Sequence, residues 1–305
     1  MITKDEFTRY MTEVVLPQVG GMEAVEAFKK LRFRLLVGIL LSIMPCFFGV
    51  FITNSFGFWG YFTILLSLLI FGFLTLVWCQ LRLKIKMFQN DILTGALAGL
   101  NFEPAEQIFH ADFLKQSRLP FLGQKIENTF KGRGVYKDFY MTSSVLERND
   151  KSFAPLLLIL IPFQSATSQV VALNQKMAFK FSLFGFSKID PLFSHAWFDE
   201  NLVFAKNKEM APFIITANFV DKIEKVKQIL QENDSETAEV LKPRIDISFF
   251  NGQMLMAIYT QTKFFDLFDF SSLDKKNMPQ DPILTFEKFY SQAEKVEKVI
   301  DILSR

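Results

Sequence analysis

Apolar positions along the chain form one long uninterrupted run, followed by shorter patterned segments. Between Arg34 and Arg82 the sequence has no charged residue, over the 47 positions 35–81. A helix crosses the hydrocarbon core of a bilayer with about 20 apolar residues, so this run is too long for one span and sufficient for two. Turn-forming residues gather in its middle, in TNSFGFWG at 53–60. The pattern therefore predicts a hairpin of two membrane helices, at 35–52 and 61–81.

Basic residues flank this run on both sides, whereas the turn at its middle is uncharged. The flanking cations are Lys29, Lys30, Arg32, Arg34, Arg82, Lys84 and Lys86. Lysine and arginine are enriched in the cytoplasmic flanks of membrane helices, and they also favour an anionic inner leaflet. We therefore expect both termini to be cytoplasmic and the turn to lie on the other side.

The N-terminal segment 1–34 shows apolar residues at helical spacing. Pro17, Gly20 and Gly21 divide it into two predicted amphipathic helices. Two roles remain open for their apolar faces: packing against the rest of the protein, or binding a partner.

Beyond the second span, 82–116 is predicted to be helical and 117–305 to form a separate domain. The segment MFQNDILTGALAGL continues the second membrane helix, and a further helix is expected to begin near Pro104 in PAEQIFHADFLKQSRL. Strand patterns then follow in VYKDFYMTSSVLE, FAPLLLILIPF, SQVVALN, MAFKFSLF and ENLVFAKN.

Two features of the remaining chain define the fold class. Asn251 and Gly252 join two apolar alternating runs, a strong hairpin signal, and amphipathic helices are predicted after Pro212 and at the C-terminal end. Strands clustered in this way indicate an α+β domain with a mainly antiparallel sheet and flanking helices.

Composition excludes several classes of protein. The net charge of +2 provides no general attraction for nucleic acid. Cys46 and Cys79 both lie in the apolar run, so the predicted domain has neither a disulfide framework nor a cysteine zinc site. We expect no cofactor.

Several stretches together resemble the bacterial proteins that carry the domain of unknown function DUF3137. These stretches are the paired spans, GLNFEPAEQIF, GVYKDFYMTSSVLE, WFDENLVFAKNKEMAPFIITANFVDKIEKV, ISFFNGQMLMAIYTQTKFFDLFDF and a final helix ending in VIDIL. The resemblance covers most of residues 3–303 and implies a protein of the bacterial cytoplasmic membrane. The family is uncharacterised, so the resemblance implies no catalytic residues.

One candidate binding site lies in FKGRGVYK. Lys131, Arg133 and Lys137 surround Gly132 and Gly134, an arrangement that favours contact with a phosphate or an anionic lipid headgroup. The spacing differs from that of a phosphate-binding loop, and basic residues in a solvated turn are the alternative interpretation.

The two histidines, His110 and His195, lack metal-ligand spacing, so a structural or surface role is predicted for each. His195 is close in sequence to Asp199 and Glu200, but neighbouring residues of a strand point to opposite faces and disfavour a shared acid-base site.

A run of phenylalanines occurs in FFDLFDF. Phe264, Phe265, Phe268 and Phe270 are either part of the core or a docking patch for a protein partner.

Two functions follow from these patterns. The spans contain no Asp, Glu, Lys, Arg or His that would form an ion path, and the domain shows no recognisable catalytic constellation. We therefore predict a noncatalytic adaptor or assembly protein, anchored in the lipid bilayer, which binds a membrane-protein partner or a second copy of itself. The alternative is a membrane-bound enzyme with an unrecognised site.

Overall fold

A computed structural model describes most of the chain, which divides into two compact units. The described residues are 2–120, 129–133, 138–147, 153–163, 168–174, 185–231, 243–260, 264–265 and 282–304. One unit, the helical unit, comprises Thr3–Ala96 and Leu267–Glu287. The other, the sheet domain, comprises Met1–Ile2, Leu97–Asp266 and Lys288–Arg305.

Two long helices dominate the helical unit. They are α3 (Gly21–Phe56) and α4 (Phe58–Gly99), joined at Gly57, whose φ of 46° is a conformation that glycine adopts readily. The helices run antiparallel, since the Phe28 ring contacts Phe88 near one end of the pair and Gly49 lies against Ile64 near the other. The predicted pair of helices with a turn between them is confirmed, and both helices extend well beyond the apolar run.

The side chains of this hairpin are mostly exposed. Only 17% of the most apolar window of Gly21–Val50 is buried, and only 6% of that of Phe58–Gly99, at mean hydropathies of 2.1 and 2.4. Large apolar side chains such as Phe47, Leu69 and Phe73 are more than 60% exposed. A core helix of a soluble protein would bury such residues. By length and composition both helices are candidate membrane spans.

Short helical segments precede the hairpin: α1 (Lys4–Tyr10), a π-helical turn (Met11–Val15) and α2 (Leu16–Gln18). A capping box starts α1, because Thr3 and Glu6 each accept a hydrogen bond from the other's backbone N–H. Phe7 and Met11 are fully buried. A Cβ on Gly95 of α4 would lie 2.9 Å from Cγ1 of Val15, so this segment packs closely on α4. The contact agrees with the packing role rather than with partner binding for Val15.

The sheet domain contains nine described strands in one antiparallel sheet, as the α+β prediction requires. Their order is β1-β2-β3-β4-β9-β8-β5-β7-β6. The strands are β1 (Glu103–Ala105), β2 (Thr129–Arg133), β3 (Asp138–Glu147), β4 (Phe153–Pro162), β5 (Val170–Asn174), β6 (Ser187–Ile189), β7 (Asn201–Ala205), β8 (Arg244–Phe250) and β9 (Gln253–Tyr259). MAFKFSLF lies outside the described residues.

Helices accompany the sheet, in the order α5 (Ala111–Gln116), α6 (Trp197–Glu200), α7 (Ala211–Ile214), α8 (Ala217–Gln231) and α9 (Pro282–Ser304), with a 3₁₀ turn at Lys208–Met210. The two longest of these helices, α8 and α9, match the two amphipathic helices that the sequence predicts. Of these helices, α5 and α8 lie on opposite faces of the sheet.

Both faces of the sheet are covered, which explains the continuous apolar run in β4. Successive residues of a strand point to opposite faces, yet Leu158 and Ile159 are both fully buried. On the Leu158 side the cluster includes Phe109 and Leu114, from the region of α5. On the other side the Phe219 ring of α8 contacts Phe249 at 5.3 Å between centroids.

The β8–β9 hairpin forms where Asn251 and Gly252 predict it. Their φ angles of 50° and 72° are both positive, as a two-residue type I′ turn requires. The helix predicted from Pro104 is wrong: Pro104 lies in the edge strand β1, and the helix begins only at Ala111. An edge strand tolerates proline because one side of it needs no N–H donor.

Candidate functional site

An open cavity of about 520 Å³ lies at the β1 edge of the sheet domain. Its wall combines polar groups of both charges with two aromatic rings. The lining residues are Ala98, Leu100, Asn101, Phe102, Glu103, Pro104, Arg133, Phe139 and Glu297. This volume falls within the range of small-molecule sites, about 300–1,000 Å³.

The end of α4 positions one side of the cavity. Asn101 has a φ of 63°, the Phe102 N–H donates to the Leu97 carbonyl at 2.9 Å, and the Asn101 N–H donates to that of Ala98 at 3.1 Å. This is the hydrogen-bond pattern of a Schellman motif, in which asparagine is one of the few residues that tolerate the left-handed position. The motif ends the helix sharply and directs the chain into β1, which places Asn101, Phe102 and Glu103 in the wall.

Strands β2 and β3 form the opposite side. The two glycines of FKGRGVYK are typical of a turn, but Gly132 lies inside β2 and pairs with Phe139 of β3. A Cβ at Gly132 would come within 2.4 Å of the Phe139 ring. The ring thus occupies the space that a side chain at position 132 would need, and this packing keeps the segment extended. Gly134 lies outside the described residues.

The three cations of the predicted anion site have different positions. Arg133, at the end of β2, lines the cavity. Lys131 instead bonds Asp138, with 2.6 Å between Nζ and Oδ2. This hydrogen bond raises the pKa of the Lys131 ammonium and lowers the pKa of the Asp138 carboxyl. Lys137 lies outside the described residues. Of the three, Arg133 is the cation that the structure places at the cavity.

Glu297 of α9 lies in the wall as well. Burial raises the pKa of its carboxyl above the ordinary value, because the charged form loses hydration there. No hydrogen bond or ion pair joins the side chain of Glu297, Glu103 or Arg133 to another residue in the described part of the chain. The wall therefore presents a guanidinium and two carboxylates that do not neutralise one another by direct contact.

Local sequence patterns gave no indication of Glu103 or Glu297. Glu297 is one of several glutamates on an amphipathic helix, and only the tertiary fold brings it to the end of β2. A glutamate in a position with helical periodicity is normally solvated, so its pattern alone carries no site signal.

Both histidines cap or order the backbone. Nδ1 of His110 accepts the N–H of Phe113 at 3.2 Å and caps α5, and Nδ1 of His195 accepts the N–H of Trp197 at 3.0 Å. The predicted structural roles are confirmed by these bonds. Asp199 and Glu200 lie in a short helix, α6, rather than in a strand.

The described pair of the FFDLFDF run lies inside the sheet domain. Phe264 and Phe265 are 9% and 6% exposed. The Phe265 ring contacts the Phe289 ring, and the backbone N–H of Phe265 donates to Oε1 of Gln292 at 2.8 Å. These two rings are core residues and offer no docking surface. Phe268 and Phe270 lie outside the described residues.

Comparisons with known proteins add no assignment to this geometry. Neither protein-family models, nor curated proteins, nor solved structures gave a match to the chain.

Proposed function

We propose that the protein is a membrane-anchored, noncatalytic adaptor or assembly protein. In this proposal the hairpin holds the sheet domain at the inner face of a bacterial cytoplasmic membrane, and the domain binds a protein partner or a second copy of the chain. The observation that carries it is the hairpin itself, whose apolar side chains are exposed along two helices long enough to cross a bilayer.

The character of the spans favours anchoring over transport. Two helices without Asp, Glu, Lys, Arg or His in 35–81 provide no relay of charged side chains for ions or protons. The basic flanks favour an anionic leaflet, and the resemblance to DUF3137 proteins supports the bacterial membrane. Opposite the turn, where the apolar run begins and ends, the guanidinium of Arg32 lies 5.6 Å from the ring centroid of Trp78. Such a pair is suited to the headgroup region.

The first expected result concerns topology. Reporter fusions inserted after Asn54 should be active outside the cytoplasm, and fusions at Arg305 inside it, because the basic flanks remain cytoplasmic. Paired phosphatase and fluorescent-protein reporters measure both states at each position. The control replaces Arg82, Lys84 and Lys86 with glutamine, which removes the positive charge of the flank after the second span. This change should reduce the fraction of molecules with the proposed orientation. A cytoplasmic signal from the Asn54 fusion would contradict the proposed topology.

The second expected result concerns partners. Phe213 is 71% exposed in the sheet domain, so a photoreactive benzoylphenylalanine at this position preserves an aromatic side chain and samples the surroundings. In native membranes we expect a reproducible crosslinked species that contains either a second copy or one partner protein. Mixed isotope labelling distinguishes the two, since only self-association links light peptides with heavy peptides.

The matched control places the same photoreactive residue at Phe249, which is fully buried and should give no intermolecular product. Lysine-reactive crosslinking of the same membranes samples the surfaces that position 213 does not reach. Recovery of the monomer alone by both chemistries would contradict the adaptor proposal. It would favour the alternative function, a membrane-bound enzyme.

A further inference from the structure

We propose that the cavity at the β1 edge binds a small zwitterion, with its anionic group on Arg133 and its ammonium group beside Glu297 and Glu103. This inference goes beyond the proposed adaptor function and does not rest on it. The proposal rests on the charges of the wall, on the absence of hydrogen bonds and ion pairs to these charged side chains within the described residues, and on the volume and lining of the cavity.

Arg133 is the available anion-binding group. Lys131, its neighbour on β2, is neutralised by the bond to Asp138, whereas the Arg133 guanidinium has no hydrogen bond or ion pair within the described residues. Asp138 feels the charge of Arg133, but Lys131 is its bonded partner and the stronger influence. A guanidinium binds carboxylates and phosphates through two parallel hydrogen bonds.

The carboxylates exclude a simple anion as the best ligand. Glu103 and Glu297 line the same cavity as Arg133, so an anion without a positive group would be repelled by two charges while it is attracted by one. An ammonium beside Glu297 would compensate the hydration that this carboxyl has lost through burial. A ligand with charges of both signs is complementary to the whole wall. Its anionic half or its cationic half alone would match only part of the wall.

The remaining walls fit an organic molecule. Phe102 and Phe139 contribute rings that contact each other edge to face, with 6.1 Å between centroids. The carboxamide of Asn101 adds a donor and an acceptor in one side chain. Amino-acid-like compounds and aminoalkyl phosphates share this chemistry, and so does an ethanolamine phospholipid headgroup.

The test uses the full-length protein in nanodiscs of phosphatidylglycerol, a lipid without an ammonium group. Isothermal titration calorimetry measures the affinity for O-phosphoethanolamine, inorganic phosphate and ethanolamine. We expect phosphoethanolamine to bind at least about tenfold more tightly than either half, which corresponds to about 1.4 kcal/mol.

Two variants separate the two ends of the ligand. Arg133→Gln should weaken phosphoethanolamine and inorganic phosphate alike, each by about tenfold or more. Glu297→Gln should weaken phosphoethanolamine but leave inorganic phosphate unchanged or slightly tighter. The matched controls are Arg118→Gln and Glu209→Gln, which are exposed outside the cavity and should change neither affinity. Thermal melts establish that each variant is folded, and if one variant fails to fold, the other still tests its own end of the ligand.

The source of the ligand is decided by a second set of nanodiscs that contain phosphatidylethanolamine. Loss of soluble phosphoethanolamine binding there identifies the lipid headgroup as the occupant, and unchanged binding identifies a soluble compound. The proposal is overturned if phosphoethanolamine does not bind in phosphatidylglycerol discs, if inorganic phosphate binds equally well, or if both cavity variants bind as the native protein does.

Discussion

Replacing Asp246 with alanine is expected to lower the free energy of unfolding of the sheet domain by about 3–5 kcal/mol, because it leaves two hydrogen-bond donors without their acceptor and opens a void. Asp246 is fully buried on β8. Its carboxylate accepts a hydrogen bond from the Tyr259 hydroxyl at 2.6 Å and another from the backbone N–H of Asn174 at 2.9 Å. The substitution leaves both donors without this acceptor and opens a small void beside them.

Urea unfolding of the full chain in nanodiscs measures this loss, with the fluorescence of the buried Trp197 as the probe in a background in which Trp59 and Trp78 are replaced by phenylalanine. With a slope of about 2 kcal/mol per molar urea, the midpoint should fall by about 2 M. Tyr259→Phe should cost less, about 1–2 kcal/mol, because it removes one hydrogen bond and leaves the ring in place. Asp199→Ala, at an exposed position, is the control. If Asp246→Ala cost no more than this control, the network would not stabilise the domain.

The features predicted correctly from sequence are those that local physics determines. A long run without charge between Arg34 and Arg82, with turn-forming residues at its middle, favours a hairpin of two apolar helices, and Asn251 with Gly252 tolerates positive φ angles that most residues avoid. The helix α4 continues past the apolar run because its apolar stripe continues, through Ile92 and Ala96, which are both fully buried. In each case the deciding signal lies within a few turns or one hairpin.

The features that sequence reasoning missed depend on contacts between distant segments. Pro104 was assigned to the first turn of a helix, a position that proline favours. Pairing with β2 instead makes it part of an edge strand, with Phe130 as its opposite residue. Glu297 reaches the cavity only because α9 packs in the sheet domain, about 200 residues from Glu103 in sequence. No local pattern encodes such proximity.

The position of Gly132 also depends on a contact that its local sequence does not show, and its substitution is expected to have a large effect on stability. Glycine in this segment favours a turn when local preference alone is considered, but here an aromatic ring from the next strand covers it. Gly132→Ala is therefore expected to destabilise the sheet domain by about 1–3 kcal/mol through overpacking. The added Cβ would lie 2.4 Å from Cζ of Phe139 and 2.9 Å from Cδ1 of Phe102. Both rings are almost fully buried, at 1% and 2% exposure, so neither can move into solvent without loss of packing.

The double variant distinguishes this clash from a general loss of strand stability. Phe139→Leu alone should cost about 1 kcal/mol or more through lost packing, yet in the Gly132→Ala background it should restore stability, since the smaller side chain makes room for the Cβ. Urea midpoints of the four proteins give the coupling energy, expected at about 1 kcal/mol or more in the favourable direction. Strictly additive losses would show that the ring does not set the requirement for glycine.

Because Phe102 and Phe139 also line the cavity, Gly132→Ala should weaken phosphoethanolamine binding even where the domain remains folded. Stability at this edge of the sheet and the shape of the binding site then depend on the same pair of rings.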